Sequence, residues 1–213
     1  MLRIAKPEDA VPIVRIHCQA FPGFFLTSLG SRILMLYYRE LFRWPDGVGV
    51  VYVEEDQIRG FAIGVVDLSS FYRHLLLRRG WHFALYALPR LSRIPALLNR
   101  LYESMSRSNQ RSQSRQTRMA TLTSIAVAPE AQEQHIGKRL VIAFLEEMQR
   151  RSVNEVSLTT DRRHNERVNK FYEKLGFSLR RFYTTAEGRE INEYTVHLAL
   201  ATESSSLVIE ASV

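Results

Sequence analysis

Cysteine is nearly absent: Cys18 stands alone in 213 residues. One thiol excludes an internal disulfide and fits a reducing compartment. No run reaches about 18 apolar residues, so no membrane-spanning helix is expected. No basic start followed by an apolar core opens the chain, so no secretory signal is expected and the location read from sequence is cytoplasmic. Paired Cys/His spacings suited to a metal are missing, and no metal is expected. Also missing are a Walker-type phosphate loop, a Gly-x-Ser-x-Gly elbow and any internal repeat. Acidic residues are scarce in one place. From Ser70 to Arg118 there are ten arginines and one acid, Glu103, a local charge of +9. The whole chain carries +7, so the remainder sums to −2. That segment suits an anionic membrane surface or a phosphorylated ligand better than nucleic acid. The plainer alternative is an elaboration packed on the domain with its arginines in solvent.

What is present is ordinary for a globular protein: 46% hydrophobic and 24% charged residues. The length fits one domain with a sizeable core. We expect it to span 1–198, with a basic helical insertion at about 70–118 and a serine-rich, disordered tail at 199–213.

Leu2 to Ala5 reads as a strand. Pro7 suits a helix start, with Glu8 and Asp9 favourable beside the dipole and Val11, Val14 and Cys18 as the apolar face. Phe-Pro-Gly-Phe-Phe-Leu-Thr, Phe21 to Thr27, interrupts that helix. Its aromatics either line a substrate cleft, with Phe24, Phe25 and Thr27 as candidates, or cap the core. A helix follows over about 31–42 on Ile33, Leu34, Tyr37, Tyr38 and Leu41. Val48–Glu54 and Ile58–Asp67 pattern as a hairpin. Phe71 to Tyr102 reads as short amphipathic helices broken at Pro89 and Pro95. Ser104 to Arg118 is polar, low in complexity and expected to be a mobile loop.

The most informative stretch is Thr121 to Gly137, TLTSIAVAPEAQEQHIG. Alternating β-branched residues make a strand that Pro129 stops. A polar loop leads to a helix whose apolar positions, Ile136, Leu140, Val141, Phe144, Leu145 and Met148, recur at about 3.6 residues. Strand, tight loop and helix N-terminus together form a natural anion site, because the first helical turn has unpaired amides and the positive end of the dipole. Further on come a strand over 155–160, a helix over 165–174 ended by Gly176, and two strands over 177–184 and 191–198 turned at Glu187-Gly188.

Val127 to Gly137, VAPEAQEQHIG, resembles the acetyl-CoA-binding motif of the GNAT (GCN5-related) N-acetyltransferases, V-x-P followed by Q/R-x-x-G-x-G/A. Gln132 and Gly137 match its ends, and His135 replaces the middle glycine. Asn165 to Phe177, NERVNKFYEKLGF, resembles the family's N-x-x-A-x-x-F-Y-x-x-x-G-F segment, with Val168 for the alanine. The resemblance covers 121–198 well and 1–67 loosely. It implies an α/β GNAT fold, a mixed and mainly antiparallel sheet flanked by helices. It also implies transfer of an acetyl group from acetyl-CoA, as co-substrate, to an amine.

By position, Gln132, Glu133, Gln134, His135, Ile136, Gly137 and Lys138 would receive the pyrophosphate. Histidine is among the residues enriched at positive φ, so the loop can still form. The resemblance further implies that Ile125 and Val127 meet the pantetheine arm with their backbone where two parallel strands splay. Asn165 matches a residue contacting that arm, and Tyr172 the acid that protonates the departing thiolate. The family's strand glutamate aligns with Thr121, which cannot act as a base. His17, Asp67, Asp161, His164 or a water relay are the alternatives. The acceptor expected from Phe21–Thr27 and the insertion is a small-molecule amine such as an amino sugar, nucleotide-linked forms included. Competing readings are a peptide amine, another acyl-CoA or a hydroxyl acceptor, and a catalytically weak binding module acting through the basic segment.

Overall fold

The computed structural model describes residues 1–87, 118–132, 134–185 and 188–199. The end of the basic insertion, including Ser104–Thr117, and the tail from residue 200 lie outside the described residues, as do Glu133 and the side chain of Phe25.

In chain order the elements are β1 (Leu2–Ile4), a 3₁₀ turn (Pro7–Asp9), α1 (Ala10–Ala20), α2 (Phe25–Leu29), α3 (Ser31–Arg43), β2 (Gly47–Glu54) and β3 (Gln57–Val66). Then come α4 (Leu68–Ala87), β4 (Met119–Val127), a 3₁₀ turn (Pro129–Ala131), α5 (Ile136–Arg150), β5 (Glu155–Asp161), α6 (Glu166–Lys174), β6 (Ser178–Thr184) and β7 (Glu190–His197). The strands form one sheet in the order β1-β2-β3-β4-β5-β7-β6. Every adjacent pair is antiparallel except β4 with β5. The expected α/β architecture, a mainly antiparallel sheet flanked by helices, is therefore present.

Two apolar layers hold the sheet. On one face α5 and α6 lay Ile136, Leu140, Phe144 and Tyr172 against Leu122, Val156, Leu158 and Tyr194. On the other, α1, α3 and α4 lay Ile13, Ile16, Tyr37, Tyr38, Phe71 and Leu75 against Phe61, Ile63, Val65 and Ala126. Burying each large side chain removes apolar surface worth roughly 1.5–3 kcal/mol, so these layers dominate the fold's stability.

The sequence reading needs correction at several points. In α1 the buried face is Ala10, Ile13, Val14, Ile16 and His17, while Val11 is exposed. The helix begins after a 3₁₀ turn, which rotates the face relative to a start at Pro7. Leu68–Ala87 is one helix of 20 residues that starts three residues ahead of Phe71, and the breaks expected at Pro89 and Pro95 lie outside the described residues. Asp67 starts it: the carboxylate accepts from Ser69 Oγ at 2.6 Å, Ser70 Oγ at 2.6 Å and Ser70 N at 3.1 Å. In α6 the buried residues are Asn169 and Tyr172, and Val168 faces outward. The hairpin turn at Glu55 and Asp56 holds both residues at positive φ, 48° and 55°, the geometry that fits the twist of a two-residue β-turn. Gly176, at φ 84°, ends α6 as expected. Of the basic segment, Arg73 and Arg78 are exposed and Arg79 pairs with the buried Glu40 at 3.0 Å. Among the described residues no helix is long and apolar enough to cross a membrane.

Candidate acetyl-transfer site

The sheet opens between β4 and β5. Their parallel pairing runs only from Met119↔Glu155 to Leu122↔Leu158. β3 continues alongside β4 to Gly60↔Val127, and β7 alongside β5 to Asp161↔Ile191. The two strands therefore part after Leu122 while each keeps its outer neighbour. A bulge marks the fork: Ile63 pairs with Ser124 and Gly64 with Leu122, leaving Thr123 extra, and the Thr123 hydroxyl donates to Ile63 O at 3.0 Å. Bulges bend a strand and increase its twist, which turns β4 away from β5.

Ladder alternation then fixes which backbone groups face the opening. Ala128 N donates to Arg59 O at 2.7 Å. With alternate residues of a strand bonding to opposite sides, Ala126 also faces β3, while Val127 and Ile125 present their N–H and C=O to the side β5 has left. Ile125 is half-buried, so these groups are not sealed within the core.

At the end of β4, Pro129–Ala131 makes a 3₁₀ turn and the chain enters α5 through His135. His135 takes φ 55°, ψ 15°, the left-handed conformation that the family motif serves with glycine. Ile136, 1% exposed, anchors the helix start in the core, while Gln132, Gln134, His135 and Lys138 are exposed. Gly137 is informative. A methyl group there would sit 3.7 Å from Phe171 Cζ and 4.0 Å from Val127 Cγ2, ordinary contact distances. Packing alone does not require this glycine, so its missing side chain leaves room at the helix N-terminus for a ligand's close approach. Phe171 also places α6 against this mouth.

Just ahead of α6, Asn165 Nδ2 donates to Thr160 Oγ1 at 2.7 Å and to Asp161 O at 3.0 Å, fixing the end of β5. Asn169 Nδ2 reaches the same Asp161 carbonyl at 3.1 Å, and Asn192 Nδ2 donates to Asn169 Oδ1 at 3.0 Å. Tyr172 packs among Phe171, Phe177 and Tyr194. Burial pushes its hydroxyl up to about 12, and among the described residues that hydroxyl has no hydrogen-bond partner. It is thus a phenol kept protonated and uncommitted.

The base candidates separate clearly. Asp67 caps α4. Both oxygens of Asp161 are held by Arg189. His164 is exposed at φ 54°. His17 is buried in the layer of α1 and α3, and burial lowers its pKa to about 4. Thr121, the family's glutamate position, lies 3.3 Å from the Ser157 hydroxyl.

The opposite rim joins α1 to the β6–β7 turn. His17 and Phe21 rings lie 4.9 Å apart, Phe21 and Phe24 5.0 Å, and the Arg189 guanidinium is 5.3 Å from the Phe24 ring centre. Arg189 in turn grips Asp161 at the end of β5. A chain of contacts thus crosses the open end of the sheet on the α1 face. Of the predicted acceptor residues, Phe24 belongs to this rim and is 44% exposed, and the Thr27 hydroxyl is buried without a hydrogen-bond partner among the described residues. Sequence reasoning missed Arg189, which carries no local pattern beyond following a glycine turn.

The family profile described as "Acetyltransferase (GNAT) family" matches residues 13–177. The chain belongs to the GNAT acetyltransferase family. Solved GNAT structures agree in fold. A ribosomal-protein-alanine N-acetyltransferase from Brucella melitensis is 15% identical, with a TM-score of 0.60 over 93% of this chain and 99% of that one. Aminoglycoside 6'-acetyltransferase type Ii is 16% identical, with a TM-score of 0.58 over 92% and 96%. Arabidopsis thaliana NAA60, solved in complex with acetyl-CoA, is 14% identical, with a TM-score of 0.58 over 93% and 98%. No curated protein sequence matches the chain. In this GNAT protein the end of β4 and the start of α5 carry the first motif block, Val127–Gly137, and α6 carries the second, Asn165–Phe177.

Proposed function

We propose that this GNAT N-acetyltransferase moves the acetyl group of acetyl-CoA to a primary amine of a small molecule, with an amino sugar as the favoured acceptor. The observation carrying the first half is the forked sheet: Ile125 and Val127 offer backbone groups, and the start of α5, with Gly137 in its first turn, follows the parted end of β4. Acetyl-CoA, when bound, supplies an acetyl thioester open to direct attack by an amine. Amides from Gln132 to Lys138 receive the pyrophosphate, aided by the helix dipole. Ile125 and Val127 bond the pantetheine amides, and the Val127 N–H polarises the thioester carbonyl. Asn165 holds the end of β5 that forms the second arm. As the amine nitrogen bonds to the acetyl carbon and the carbon–sulfur bond breaks, Tyr172 gives its proton to the thiolate. Of the carboxylates weighed as the base, Asp67 is held by Ser69 and Ser70 and Asp161 by Arg189, so the amine's proton leaves through water, which returns a proton to the Tyr172 oxygen.

The acceptor half is supported by the aromatic rim. The Phe24–Arg189 contact draws α2 and the β6–β7 turn together, and a narrowed, aromatic-lined mouth suits a small ring better than a folded protein terminus. Calorimetric titration with acetyl-CoA tests the first half, where micromolar binding, about −8 kcal/mol, is expected. Assaying amino sugars, their nucleotide-linked forms and short peptides tests the second. Acetylation of a peptide and of no sugar would overturn it.

A further inference from the structure

Helix α4 is apolar on two opposite faces. Inward, Phe71 and Leu75 are buried, the Phe71 ring lies 5.6 Å from that of Tyr37 on α3, and Arg79 reaches Glu40 at 3.0 Å. Outward, one helical turn apart, stand Arg73, Leu77 and Trp81. Leu77 is 83% exposed and Trp81 65%, with Leu76, 39% exposed, and the exposed Arg78 on either flank. Single exposed apolar residues are ordinary. Residues four apart on a helix are neighbours, however, so Leu77 and Trp81 form one apolar patch. A helix that is apolar all round is normally covered all round. α3 and the sheet cover the inner face of α4, and the outer face calls for a second cover.

The charge around the patch says what that cover is. Helix α4 has Arg73, Arg78 and Arg79 and no acidic residue. Glu40 takes Arg79, whereas Arg73 donates to the Ser70 hydroxyl at 3.1 Å. Among the described residues neither Arg73 nor Arg78 is paired with a carboxylate. Leucine and tryptophan enter the boundary between headgroups and acyl chains, and arginine lays its stem along apolar surface while its head reaches phosphate. Nucleic acid would use the arginines and leave Leu77 without a role.

We propose that the outer face of α4, through Arg73, Leu77, Arg78 and Trp81, docks on the surface of a lipid bilayer carrying anionic headgroups. The acetyl-transfer site stays open in that pose. Where α4 begins, Asp67 N donates to Met119 O at 3.3 Å. Met119 and Val127 are opposite ends of β4, roughly 26 Å apart along the strand. Docking therefore stands or falls separately from the acetyl-transfer reading.

The test sediments the full chain with vesicles of equal parts phosphatidylcholine and phosphatidylglycerol, and with vesicles of phosphatidylcholine alone. Binding is expected only to the first. Leu77→Ser, and Arg73→Gln combined with Arg78→Gln, should each weaken it about tenfold or more. Arg167→Gln combined with Lys174→Gln removes the same charge from α6, across the sheet, and should bind as the parent does. These positions are exposed, and thermal melting would confirm that the variants fold. Trp81 fluorescence, read as the difference between the parent and Trp81→Phe, should be open to acrylamide in the free protein and quenched by brominated lipid on the vesicles. No binding, parent-like binding by Leu77→Ser, or equal losses in the α4 and α6 charge variants would overturn the proposal. So would a Trp81 closed to acrylamide in the free protein, since the chain itself or a second copy would then supply the cover.

Discussion

Arg189 and Asp161 meet in a two-pronged ion pair, with Nη2 at 2.7 Å from Oδ1 and 2.9 Å from Oδ2. The pair locks the β6–β7 turn to the end of β5, and Arg189 carries Phe24 on its other side. Both partners are about a third exposed, so the contact matters for position more than for stability. Arg189→Ala is expected to raise KM for the amine and leave acetyl-CoA affinity unchanged. Steady-state kinetics with each substrate varied in turn would show the split, and a matching loss for both substrates would contradict it.

Gly137 separates fold from ligand. Since a methyl group meets only ordinary contacts there, Gly137→Ala should melt within about 2 °C of the parent. Acetyl-CoA binding should nevertheless weaken by at least about tenfold, as the added carbon occupies the approach to the helix amides. Calorimetry and thermal melting on the same preparation would check both halves.

Tyr172 is the third case. Its hydroxyl is protonated up to about pH 12 because burial opposes the phenolate. Tyr172→Phe should keep cofactor affinity and lower kcat by about 100-fold or more. In the parent, no loss of rate from ionisation of this phenol should occur between pH 7 and 10. A variant with unchanged kcat would return Tyr172 to a packing role.

His17 makes stability depend on pH. Its folded pKa, about 4, lies below the ordinary 6.5. As pH falls from above 6.5 toward 4, the unfolded chain takes up a proton that the folded chain refuses. Stability is therefore full above about 6.5 and declines across that window, by roughly 3 kcal/mol at its lower end. His17→Leu should flatten this part of the curve. Urea unfolding at a series of pH values would reveal it, and a parent curve already flat from 6.5 to 4.5 would disprove it.

The sequence showed most of the architecture because its strong signals are local. Thr121–Val127 alternates, Ile136–Met148 repeats at helical spacing, and Pro129 and Gly176 punctuate. The two motif blocks placed Gln132, Gly137, Asn165 and Tyr172 on the right elements. What remained hidden depends on distant contacts. The bulge at Thr123 arises from pairing with β3 and has no signature of its own. Tyr38 reads as a core residue by period, and is one, yet its hydroxyl also meets His17 Nδ1 at 2.8 Å. Arg189 acquires meaning only when the β6–β7 turn meets Phe24. Val11 and Val168 misled because an apolar residue at a helical period need not lie on the buried face.

The four-residue seam between β4 and β5 has a thermodynamic consequence. The sheet is one object by strand order, yet β1–β4 and β5–β7 are laddered to each other only from Met119 to Leu122. Each half keeps its own hairpin, while the apolar layer under α5 and α6 spans the seam. A pantetheine arm bonded in the gap would act as the missing stretch of strand and join the two halves into a single cooperative unit. Saturating cofactor would then raise the unfolding free energy by the binding linkage, about 2.7 kcal/mol at a hundred times Kd. It would also slow amide exchange at Ile125 and Val127 more than in β2, so the ligand would serve the fold as well as the reaction.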